Sequence, residues 1–161
     1  MSTLKMLAFG LCLGTAFGAW NLYETWRDPL ADDSVLALLA FYGPMFLAWT
    51  SVGFIRRRSG GTVGQAAMSA TVFAFATFTS YFGAQLVRVN LFLEQLRERD
   101  DWQFMMSRFA ASGSDHFRSY INHIYVAGAP FKILVATAIG FAVGLAGAGI
   151  ASLWTPRGNP M

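Results

Sequence analysis

Four stretches of the chain are long, apolar and almost free of charge. They run from Leu4 to Tyr23, from Val35 to Ile55, from about residue 63 to Val87, and from Ile133 to Trp154. A helix needs about 20 apolar residues to cross a bilayer, and each stretch meets that length. Backbone groups in hydrocarbon must be satisfied within the segment, so the pattern predicts four transmembrane helices and an all-α fold. The third stretch is uncharged from Ser59 onward, which allows tilt or protrusion. Gly43-Pro44 in the second predicts a kink.

Between the third and fourth stretches, residues 88–132 alternate apolar and polar positions at helical spacing. Val89, Leu93 and Leu96 continue the stripe of the third helix. Asp100 or Asp101 is placed to cap a new helix, in which Trp102, Met105, Met106 and Phe109 form one apolar face. Ser112-Gly113-Ser114 signals a turn, and Phe117, Tyr120, Ile121 and Ile124 repeat the pattern before Gly128-Ala129-Pro130 marks entry to the last span. The expectation is two short amphipathic helices on a surface or against a partner. The alternative is a small lid folded over the bundle's own end.

Composition agrees with a membrane domain. The 161 residues are 55% hydrophobic and 13% charged, far from the roughly 25% charge of soluble domains. The net charge of +3 holds no nucleic-acid stripe, since three of the twelve basic residues are the adjacent Arg56, Arg57 and Arg58. That cluster predicts a cytoplasmic loop, with both termini on the same side in an inner membrane of bacterial type. The six basic residues of 88–132 run mildly against this orientation. The single cysteine, Cys12, excludes a disulfide framework and reads as a small hydrophobe. The first stretch also resembles a secretory signal, with Lys5 as its basic start and Ala16-Phe17-Gly18 as a cleavage site; a retained helix is expected. Trp20, Trp26 and Trp154 fall where an interfacial belt is expected.

Small residues are the strongest pattern. Gly10, Gly14 and Gly18 recur every four residues in the first helix. Ala136, Gly140, Gly144 and Ala148 do so in the fourth, and Ala66, Ala70 and Ala74 in the third. In lipid such faces let helices approach closely, within one chain or between copies. Thr77, Ser80, Tyr81 and Gln85 lead along the third helix to Arg88. They form either a polar track or ordinary interfacial residues with a snorkelling arginine. His116 and His123 share a helical face, but their spacing cannot bracket one haem and no cysteine lies near, so no haem or metal is expected.

The chain carries no nucleophile–base pair, phosphate loop or nucleotide fingerprint, so it reads as no enzyme. The expected role is a non-catalytic accessory subunit of a larger membrane complex. Its partners are membrane lipids, other subunits or copies of itself, and Trp102, Met105, Met106 and Phe109 are the expected docking face. The competing reading is a homo-oligomeric channel or small transporter lined by Thr77, Ser80, Gln85 and Arg88.

Overall fold

The computed structural model describes residues 2–31 and 34–154. The described residues contain helices and no strand: α1 (Thr3–Arg27), α2 (Val35–Arg58), α3 (Val63–Leu91), the single turn α4 (Leu93–Leu96), α5 (Gln103–Ser112) and α6 (Phe117–Leu153). A 3-10 turn, Asp100–Trp102, precedes α5. Helices α1, α2, α3 and α6 are each long and apolar enough to cross a membrane.

Local chemistry sets the starts of the first three long helices. Ser2 accepts from the Lys5 amide and Ser34 from the Ala37 amide. Thr62 and Gln65 form a reciprocal capping box at 3.2 and 3.1 Å. Helix α2 ends in Arg56, Arg57 and Arg58, where positive charge suits the negative pole of the helix. Arg57 also binds the Gly61 carbonyl and the Ser152 hydroxyl, tying this basic end to the last turn of α6. Helix α2 continues through Pro44 without a break.

Helix α3 is the spine. It packs on α1, on α6 and on α2, and its buried face is a run of small residues including Ala66, Ala70, Ala74 and Ala76. Each glycine ladder lies on this spine, so the two ladders do not meet each other. A Cβ on Gly10 would stand 2.7 Å from the Phe73 carbonyl oxygen and 2.8 Å from Ala76 Cβ, while Gly14 faces Thr77 and Gly18 faces Ala84. On α6, Gly140 faces Ala74, and a Cβ on Gly144 would stand 2.5 Å from Ala70 Cβ. Ala136 and Ala148 are buried beside them. A second close crossing brings α2 against α6, with Gly53 against Gly144 and Gly147 against Thr50. Backbone contact of this kind maximises dispersion between helices that gain no hydrophobic drive from an apolar solvent.

The end opposite the arginine cluster is closed by a cap. Trp102, Leu93, Leu96, Val89, Phe117 and Ile121 form one buried apolar group, and Met105, Met106 and Phe109 pack onto it. The expected surface helices therefore need correcting in three ways. The stretch from Phe117 to Ile124 is the first part of α6, so the helix that carries the fourth apolar stretch runs unbroken from Phe117 to Leu153 and a separate surface helix before it is not formed. Pro130 sits inside α6. Its φ is compatible with a helix and it forfeits one backbone bond. Anchors on both sides of it, Phe117 and Ile121 before and Ala136 and Gly140 after, are buried and hold one axis. Neither Asp100 nor Asp101 caps α5; Asp101 instead binds Arg99 through two bonds of 2.8 and 2.6 Å. Finally, the apolar face of α5 turns inward, which is the lid arrangement. Trp102 is 8% exposed and is thereby covered by the chain itself.

Candidate functional site: the polar seam and cleft at the capped end

Helices α1 and α3 run parallel, and their facing polar side chains pair in steps. Thr15 and Ser80 share a hydrogen bond of 2.8 Å, Gln85 donates to Asn21 Oδ1 at 2.9 Å, and Arg88 Nε donates to the Thr25 hydroxyl at 2.6 Å. The sequence separations of 65, 64 and 63 show that the same register is kept along the seam. Arg88 Nη1 also reaches Gln85 Oε1 at 3.3 Å, joining the last two steps. Thr77 is fully buried and donates to the Phe73 carbonyl of its own helix. Thr77, Ser80, Gln85 and Arg88 are thus engaged in holding α3 to α1 or to itself, while Tyr81 turns to Tyr42 of α2. Hydroxyls of this kind commonly satisfy a helix backbone.

The α1 side of the seam, Thr15, Asn21 and Thr25, was not anticipated from the sequence, and Asn21 and Thr25 carry a signal. Both lie on the stripe that Gly10, Gly14 and Gly18 begin, and Thr25 is 4% exposed. Their spacing of three and seven from Gly18 is a signal that could have found them. A second polar clasp joins α3 to α6, where Asn90 and Asn122 exchange amide bonds of 2.7 and 3.1 Å and Arg118 reaches the Asn90 carbonyl.

Helices α1 and α2 pack on α3 and α6 more than on each other, and between them opens a cleft of about 910 Å³. One ring contact, Phe17 on Phe41 at 5.4 Å, bridges the two helices. The cleft's floor is aromatic. Phe41, Tyr42, Phe78 and Tyr81 contact one another, and the Tyr42 and Tyr81 hydroxyls lie 3.4 Å apart. Toward the cap the lining becomes polar, with Gln85, Arg88, Arg99 and Lys132. Arg99 is 4% exposed and bound to Asp101, which offsets the cost of burying its charge. The Lys132 ammonium lies 5.0 Å from the Tyr125 ring centroid and 5.8 Å from that of Phe82. These distances fit cation–π attraction. Pro44 and Ala40 also line the cleft; the proline has no N–H to give the Ala40 carbonyl.

His116 and His123 are both exposed, His116 standing immediately before α6. Among the described residues no group of three or more His, Cys, Asp or Glu is arranged to hold a metal ion. Cys12 is exposed. The indole nitrogen of Trp49 is the one side-chain polar atom among the described residues that is buried without a hydrogen-bond partner.

The geometry defines an all-helical bundle whose four long helices have the length and apolarity of a multi-pass membrane protein. Comparison with family models, curated protein sequences and solved structures finds no match to this chain.

Proposed function

We propose that this chain is a non-catalytic accessory subunit of a larger membrane complex, set in an inner membrane of bacterial type. The observation that carries the reading is the α1–α3 seam. Ser80, Gln85 and Arg88, which a pore would need to present to its lumen, are bonded to Thr15, Asn21 and Thr25. The glycine ladders, the other surface suited to contact between copies of the chain, are also used, since both lie on α3. What results is a tightly packed scaffold whose outward-facing side chains are the apolar surfaces of α1, α2 and α6, including Leu36, Leu39, Leu47, Phe131 and Leu134. Such surfaces suit lipid and neighbouring helices.

Arg56, Arg57 and Arg58 orient the basic end to the cytoplasm, together with both termini, and place the cap outside. The test is the composition of particles extracted from the source membrane in mild detergent, read by native mass. This proposal expects other chains at fixed ratio beside this one. Particles containing this chain alone, whether monomer or homo-oligomer, would overturn it.

A further inference from the structure

The cleft at the capped end carries a reading that does not depend on the accessory role. It has two chemically different parts. The wide part holds the aromatic floor and the cationic lining. Through Tyr42, Phe78 and Lys132, which line both parts, it meets a narrower groove of about 280 Å³ walled by Phe46, Trp49, Ala136 and Ile139. A polar compartment joined to an apolar groove matches a molecule with a charged head and a hydrocarbon chain. The wide part lies within the range of small-molecule sites, commonly about 300–1,000 Å³, and the groove falls just below it.

The sign of the head group follows from the charges. Arg88 is half-buried, and its hydrogen bonds go to a hydroxyl and an amide oxygen, both neutral. Lys132 faces two aromatic rings, and among the described residues it makes no ion pair. The remaining charges of the lining are mostly matched: Glu24 pairs with Arg27 at 2.9 Å and Arg99 with Asp101. Among the described residues Asp28 is the further acid of the lining, and it is exposed. Among the described residues, two cations without a carboxylate partner therefore line one cleft, where charge-assisted bonds to an anion are about twice as strong as neutral ones. A guanidinium and an ammonium suit the oxygens of a phosphate.

We propose that this cleft binds an anionic phospholipid, its phosphate against Arg88 and Lys132 and one acyl chain in the groove beside Trp49. The apolar groove distinguishes this occupant from free phosphate, and the two cations of the lining favour a net-negative head group over a zwitterionic one.

The experiment is native mass spectrometry of the full chain in mild detergent, titrated with dioleoyl phosphatidylglycerol, dioleoyl phosphatidylcholine or glycerol phosphate. Phosphatidylglycerol should be retained roughly tenfold more tightly than phosphatidylcholine, and glycerol phosphate should not be retained. Lys132→Gln changes an exposed side chain outside the seam and should lower that preference several-fold. Adding Arg88→Gln should abolish it. Equal retention of the two lipids, or a preference that survives in the double variant, would overturn the proposal. Retention of glycerol phosphate as tight as that of phosphatidylglycerol would overturn the acyl-chain part. Should the double variant fail to fold, Lys132→Gln alone still decides, because an unchanged preference in it contradicts the assignment.

Discussion

Gly14 and Gly83 occupy the middle of long helices and differ in what surrounds them. A side chain at Gly14 would run into the Thr77 backbone and come 2.9 Å from Ser80 Cβ, whereas nothing lies within 4 Å of a Cβ on Gly83. The obstacle at Gly14 is largely main chain, which cannot swing aside. Gly14→Ala should therefore destabilise by about 1–3 kcal/mol, the usual cost of overpacking. Gly83→Ala should be neutral or stabilising by up to about 1 kcal/mol, since alanine is the better helix former. Thermal unfolding in detergent checks both, and similar shifts for the two variants would show that α1 does not sit on α3 as described. Spacing alone revealed that Gly10, Gly14 and Gly18 form a packing face. It could not reveal the partner, because α3 and α6 both carry small residues at the same interval.

Among the elements, the long helices were the most legible. Their apolar runs exceed anything a soluble helix needs, and Ser2, Ser34 and Thr62 mark three of the starts. The cap was half legible. The stripe Trp102, Met105, Met106 and Phe109 forms one apolar face, Trp102 from the 3-10 turn and the other three from α5, but a stripe carries no information about what covers it. Here the cover is Leu96, Phe117 and their neighbours in the same chain. The helix boundary at Pro130 was misjudged because a local breaker signal lost to tertiary anchoring on either side of it. The cleft was invisible in sequence, since its lining comes from α1, α2, α3 and α6 at once. For the cap, Trp102→Ala removes a large buried side chain and should cost about 3–5 kcal/mol of cap stability. Amide exchange should accelerate across residues 93–112 while α3 between Ala66 and Tyr81 stays protected. Uniform acceleration over both segments would show that the cap and the bundle unfold as one unit.

At the scale of the whole molecule, one helix organises the rest. Helix α3 receives the glycines of α1 and of α6 on small-residue surfaces and adds a polar seam with α1 and an amide clasp with α6. Interhelical hydrogen bonds in membranes are worth about 0.6 kcal/mol each on average, so the seam specifies register more than it supplies stability. A scaffold closed in this way leaves function to its outer faces and to the cleft. The most direct measurement is cross-linking of Thr15→Cys with Ser80→Cys, in a Cys12→Ala background, in native membranes under mild oxidation. These two side chains touch in the structure, at 2.8 Å between hydroxyl oxygens. The account predicts a disulfide within each chain, seen as a mobility change without dimer. Disulfide-linked dimers, or no cross-link while the protein remains folded, would contradict the closed seam and return Ser80, Gln85 and Arg88 to a surface shared between subunits or facing a pore.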